Sequence, residues 1–362
     1  MHLRRRARAV LLFLSIPLSA ACGGRSDDLP SSTLPTSAVG APAPGVCGFP
    51  DLSASAPVPI ATSLATTTTL ASSDLALSAL ALDEANVYFA DTDGTSGTVR
   101  VVSKDGSDLK VLADGQDSPA SLAVALNRVF WTTPISIIAY PISWNPPGAG
   151  PSLTYPLENW GGHGGVVSDG TSFFAEGAEP SGDITISMFP NALLINAGAY
   201  TEIPLGTVSG LSALAVDDSY VYYSRGPTAL AIARRPKTVD AAEEVLTTDV
   251  PAAVLSTMLT VDDQCAYYLD TSSGDVRAVP KAGGTSIAIA RGLAAPTSVA
   301  VSAEGAWLTT QGGDVLSIAR STGAVTRRAA GGAAQAILVD ATGFYWIASA
   351  AAGGGSVQRG TK

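Results

Sequence analysis

One unit recurs along most of this chain, and it restricts the fold more than any other feature. An apolar stretch ends at a turn, and an aromatic stretch follows. The clearest copy is Leu214-Ala215-Val216-Asp217 leading to Tyr222-Tyr223. The residues at the Asp217 position in successive copies are Asp83, Ala125, Ser168, Asp217, Asp262, Ser302 and Asp340. Five or six residues after each stand Tyr88-Phe89, Phe130-Trp131, Phe173-Phe174, Tyr222-Tyr223, Tyr267-Tyr268, Trp307 and Tyr345-Trp346. The copies follow one another roughly every 40–45 residues and read as strands throughout, the sequence mark of propeller blades.

Each period divides into four short strands. Strand a is the Leu-Ala-Val piece, small enough for a crowded innermost position. An Asp at the anchor suits an Asx turn, in which the carboxylate accepts backbone N–H groups. Strand b is aromatic and apolar on both faces, as expected of a strand packed between neighbouring sheets. Strand c appears in Gly274-Asp275-Val276-Arg277-Ala278-Val279, and strand d in Ser286-Ile287-Ala288-Ile289-Ala290. The last copy stops after strand c. The strand-like piece at residues 58–65, ahead of the first copy, is expected to supply its missing strand and remove two open sheet edges. The expected fold is all-β, a seven-bladed β-propeller closed by an N-terminal strand over residues 58–362, with six blades as the alternative count. In the third copy, strand d is expected within residues 192–203. The proline-rich run at 143–151 reads as an exposed c–d loop.

The chain of 362 residues is 46% hydrophobic and 14% charged, which describes a packed body. It carries 21 Lys+Arg against 31 Asp+Glu. Four of the arginines (Arg4, Arg5, Arg6, Arg8) fall in the first eight residues, and no basic cluster remains after them. Nucleic-acid binding, which needs many phosphate-neutralising cations, is excluded on this ground.

Residues 1–21 have the form of an export signal, with a basic start, an apolar core and small Ser19-Ala20-Ala21. Cys22 follows at once. The segment resembles a lipoprotein signal, in which this cysteine takes the lipid; Leu18 stands one place early, so cleavage after Ala21 stays open. Residues 22–57 read as a lipid-anchored flexible tether and leader. The implied address is the cell envelope, at the outer membrane, with membrane attachment through lipid only. In that oxidising compartment, Cys47 and Cys265 are the two cysteines able to bridge, and two free thiols are the alternative.

In a propeller the d–a and b–c loops share the face where ligands usually bind. Here that face projects Asp91, Asp93, Trp160, His163, Glu176, Glu179, Arg225, Asp270 and Gln311. Asp91-Thr92-Asp93-Gly94 has the alternating acids of a calcium loop, but the twelfth position is Val102 where such a loop has Glu. Ca²⁺ is therefore an open option, and no cofactor is the expectation. His163 is the one histidine after the leader, and no nucleophile elbow or His-Glu-x-x-His motif occurs. No catalytic residues are assigned.

The runs Val-Asp-x-x-x-Val-Tyr-Tyr (216–223) and Gly-x-Val-x-x-Val-Pro-Lys-x-Gly-Gly (274–284) resemble the repeats of secreted bacterial propellers of the TolB-like and NHL-type families. The likeness covers residues 58–362, and the Asp is lost from copies two, three and six. Many members of these families have six blades. The resemblance implies fold more than function. The expected role is a monomeric, non-catalytic binding or scaffold lipoprotein whose partner is an envelope protein or glycan. The alternative is a propeller-type lyase or hydrolase with an acidic, metal-binding channel mouth.

Overall fold

The computed structural model describes residues 46–362, apart from 126, 143–152, 157–162, 179–182, 191–202, 211–212, 227–229, 240, 251–258 and 351–352. Cys22, Trp160, Glu179 and the proline-rich run thus lie outside the described residues. Within them the strands form seven sheets, each built from strands a, b, c and d in order. Blade one comprises Ala76–Leu82, Asn86–Thr92, Ser96–Ser103 and Lys110–Asp117. The a strands of consecutive blades pack against one another, and that of blade seven (Ala333–Val339) meets that of blade one. The fold is a closed seven-bladed β-propeller.

The paired aromatics of strand b explain why consecutive blades adhere. Neighbouring residues on a strand point to opposite faces. Tyr222 therefore enters a cluster with Tyr268 of blade five, while Tyr223 enters one with Phe174 of blade three. The same division repeats around the ring. Phe89 packs with Tyr345 of blade seven, and Tyr88 with Trp131 of blade two. Phe130 stacks on Phe173 of blade three at 4.5 Å. Each such side chain contributes about 2–3 kcal/mol on burial.

The ring closes with a different segment from the expected one. Strand d of blade seven is Thr67–Ser73, antiparallel to Gly355–Gly360. Residues 58–65 do not take that place. Ile60–Thr62 instead run parallel to Val325–Ala329 as a fifth, outermost strand of blade six. Burial accounts for the difference. Leu70 and Ala71 are buried, whereas Ile60, Ala61 and Thr62 are all exposed. Thr67–Ser73 also runs straight into strand a of blade one, so only a short d–a link is needed.

Two further departures concern blade three. Its strand d is Ile203–Ser209, beginning where residues 192–203 end; 192–202 lie outside the described residues. Its anchor is Asp169, one place after Ser168. The Asp169 N–H donates to the Ser172 carbonyl, as that of Asp217 does to Tyr220. Ser168 is paired with Phe173 at the end of strand a, the place Val216 holds against Val221.

The anchor acids also join the blades. In each, Oδ1 accepts the backbone N–H groups two and three residues on, as Asp217 does from Ser219 and Tyr220. The free Oδ2 accepts a tyrosine hydroxyl five residues on in Asp83, Asp217 and Asp262. In Asp169, Asp217, Asp262 and Asp340 the Oδ2 also receives a cation that follows strand c of the next blade. Lys237 reaches Asp169, Lys281 reaches Asp217, Arg320 reaches Asp262 at 2.9 Å and Lys104 reaches Asp340 at 2.6 Å. Lys281 also lies 5.1 Å from the Tyr222 ring centre, and Lys104 5.6 Å from that of Tyr345.

The leader is stapled to this same face. Cys47 and Cys265 form a disulfide with a Cα–Cα distance of 5.7 Å across a sequence separation of 218. Phe49 is fully buried beside Tyr267, the Leu52 N–H donates to the Ala288 carbonyl, and Arg320 donates to the Cys47 carbonyl. Cys47 and Phe49 are therefore buried against blade five, while residues 53–57 run exposed along its edge.

Two predictions follow from these contacts. Burial pushes the Asp217 carboxyl up, but Lys281, Tyr222 and the backbone donors outweigh it and hold it at about 2. Its contribution is complete above the ordinary carboxylate range and disappears as pH falls through about 2. Lys281→Met removes one donor and lowers stability by about 0.5–1 kcal/mol at pH 7, with a smaller loss near pH 2, measured by denaturant titration at both pH values. Cys265→Ser lowers unfolding stability by about 2–5 kcal/mol. It also speeds amide exchange at Leu52 while leaving the amides of Thr67–Ser73 slow, measured by hydrogen exchange.

Candidate functional site

Asp91, Glu176, Arg225 and Asp270 lie at or near the C-terminal end of strand b in blades one, three, four and five. Strand b starts at the a–b turn, so this end opens on the other face, beside the d–a connections. The sequence projection thus brings these residues to one face. Their surroundings differ in kind.

Asp91 is fully buried. Its Oδ1 accepts the Thr98 N–H at 3.0 Å and the Thr98 hydroxyl at 2.7 Å. Its Oδ2 accepts the Ser73 hydroxyl at 2.6 Å and pairs with Arg100 at 3.1 Å. Ser73 is the last residue of the closing strand. Asp91 therefore ties blade one to the strand that completes blade seven. Asp93 sits at the tip of the same hairpin, where Oδ1 accepts from the Ser96 and Thr95 N–H groups and the Thr95 hydroxyl, each at 2.8 Å. The Ser96 N–H leads the donors that hold its carboxyl at about 2. The pair reads as a hairpin and its brace, with Gly94 in the left-handed region at φ 95°.

Asp270 is buried and builds the b–c turn of blade five, accepting from Ser272 N–H and hydroxyl and from Ser273 N–H. Burial raises its carboxyl, but those donors prevail and the net shift is downward. Arg225 pairs with Glu243 at 3.1 Å, and Glu243 also accepts the Tyr223 hydroxyl at 2.7 Å. The Gln311 N–H donates to the Ala295 carbonyl, fixing the b–c turn of blade six.

Glu176 is the exception. Its Oε2 accepts the Gly165 N–H at 3.1 Å, and burial pushes its carboxyl up to about 7. His163 is the first residue of strand a in the same blade; its side chain lies outside the described residues. Among the described residues, no group of three or more His, Cys, Asp or Glu is placed to hold a metal ion.

Sequence reasoning missed the inter-blade cations. Lys104, Lys237, Lys281, Arg320 and Lys362 occupy one equivalent position just after strand c. Their alignment was the available signal.

No family model matches the chain, and no curated protein does. Solved structures do. The WD40 β-propeller domain of Doa1 matches at 12% identity with a TM-score of 0.57, over 81% of this chain and 96% of that one. The computationally designed Ika8 protein matches at 16% with a TM-score of 0.56, over 81% and 98%. BamB from Moraxella catarrhalis matches at 16% with a TM-score of 0.51, over 78% and 85%. What these neighbours share with the chain is the β-propeller.

Replacing Asp91 by Ala strands Arg100 and the Ser73 hydroxyl, and lowers stability by about 2–3 kcal/mol, measured by denaturant melts. Glu176 binds its proton more tightly when folded than when unfolded. Its contribution to stability is therefore favourable at acid pH and lost as pH rises from the ordinary carboxylate range through about 7. Glu176→Gln should flatten that fall, seen as a smaller difference in Tm between pH 5 and pH 8.

Proposed function

We propose that the protein is a non-catalytic binding scaffold of the bacterial cell envelope. In this reading residues 1–21 direct export, Cys22 carries the lipid, and the monomeric propeller offers its b–c face to an envelope protein or glycan without a cofactor. The observation that carries it is the use made of the acids on that face. Asp91, Asp93 and Asp270 spend their carboxylates on backbone and hydroxyl donors that shape the hairpins. A face built from braced turns suits recognition by shape. The Cys47–Cys265 disulfide adds support for an oxidising compartment, and the TolB-like and NHL-type repeat pattern agrees with a secreted protein.

Affinity capture from detergent-solubilised envelopes, after crosslinking, tests the reading. One partner should be enriched, and its recovery should fall with Gln311→Arg on the b–c face but not with Val111→Glu on the outer edge of blade one. Equal recovery by both variants, or no enrichment at all, counts against it.

Glu176 favours a second reading. A buried carboxyl titrating near 7 is suited to general acid or base work, as a propeller-type lyase or hydrolase with a metal at the channel mouth would need. That reading requires a rise in Tm with Ca²⁺ or Mg²⁺ on the order of micromolar, reversed by EDTA and lost in Glu176→Gln.

A further inference from the structure

Blade seven has two unlike faces. Toward blade one, strands c and d present Val357 and Leu70, which join Tyr345 and Ile347 in a continuous apolar cluster. Toward blade six the same strands present polar residues. Trp346, Gln358 and Thr69 lie side by side in register, and so do Ala348, Ser356 and Ser72. The Gln358 amide donates to Thr69 and Ser356 at 2.9 and 2.8 Å. The apolar cluster between blades six and seven accordingly takes nothing from strands c and d of blade seven. Between blades five and six, by contrast, Ile287 and Ile289 of an outer strand fill the equivalent space.

The result is a groove of about 860 Å³ between the outer halves of blades six and seven, roofed by Leu64, Ala65 and Thr67. Its volume falls in the rough 300–1,000 Å³ range of small-molecule sites. Trp346 lies in its wall, and Ser72, Ser356 and Gln358 supply hydroxyl and amide groups. Arg328 enters from strand d of blade six. Its guanidinium lies 5.9 Å from the Trp307 ring centre, and its buried Nε has no hydrogen-bond partner among the described residues. No carboxylate among the described residues pairs with it, although Asp74 also lines the groove and eleven ion pairs form elsewhere in them.

We propose that this groove binds an acidic saccharide, a sugar bearing a carboxylate. The planar donor fork of Arg328 matches a carboxylate in two parallel hydrogen bonds. The Ser and Gln groups on the opposite wall match ring hydroxyls, and Leu64 and Ala65 offer an apolar surface to the sugar's C–H face. The groove reaches the b–c face between blades six and seven, where Gly331, Gly332, Ala350 and Gly353 line its end, and the proposal does not depend on the protein being an envelope scaffold.

Calorimetric titration of the full chain with trigalacturonate, with maltotriose as the neutral control, tests the site. The acidic trisaccharide should bind at least about tenfold more tightly than maltotriose. Arg328→Gln should remove that preference, and Ser72→Phe, an exposed residue whose new ring fills the groove, should abolish binding with the melting transition retained. Undetectable binding, equal affinity for the two sugars, or an unchanged preference in Arg328→Gln overturns the proposal. Failed envelope capture would leave this result untouched, and the converse also holds.

Discussion

A ring of sheets is stable only if its first and last members meet, and here that junction depends on one antiparallel pairing. Strand c of blade seven would end the chain with an unsatisfied edge. Thr67–Ser73 supplies its hydrogen-bond partners from far away in sequence, Thr69 and Gln358 standing 289 residues apart. The pairing is then secured from both sides. Leu70 is buried in the cluster shared by blades seven and one, and the Ser73 hydroxyl is held by Asp91. The Lys104–Asp340 ion pair crosses the same seam on the opposite face. Closure is costly in chain entropy because it is so non-local, so several modest contacts are concentrated at it.

The leader reinforces the same arrangement. It is fixed to blade five by the disulfide, passes along blade six as a parallel outer strand and enters blade seven as the closing strand. Three blades are thereby spanned by one continuous segment. Any force on the chain ahead of Cys47 meets the covalent bond before it reaches the hydrogen bonds of Thr67–Ser73. The seam keeps its geometry because the restraint lies upstream of it.

The two ends of each blade are organised differently. At the a–b end, an acid, an aromatic and the next blade's cation recur as one inter-blade contact. At the b–c end, acids such as Asp93, Asp270, Asp275 and Asp314 are used within single blades, whereas Asp91 joins two at the closure. The first end holds neighbouring blades together, which frees the second to vary from blade to blade. The b–c turn of blade one, residues 93–95, is one residue shorter than those at 271–274 and 311–314.

The repeat made the blade count and the four-strand order legible, because paired aromatics at a fixed offset from an apolar strand have few other uses. Tyr222 and Tyr223 announced two neighbours in a single dipeptide. The closing strand was legible only as a need: residues 58–65 read as that strand, and pairing with burial of Leu70 and Ala71 gives the place to Thr67–Ser73. The anchor of blade three was misplaced by one residue because Ser168 and Asp169 are both capable turn formers, and backbone pairing chose between them. For the candidate face, sequence named the right end of strand b. It could not show that Asp91 and Asp270 are committed to structure, since a carboxylate's partners come from residues brought in by folding. The sequence alone therefore determined the periodicity, and with it the architecture, because local patterning sets which faces must be buried. Tertiary structure alone decided the closing partner, the cations that bridge blades and the groove beside blade seven, because each joins groups from different blades that meet only once the ring has formed.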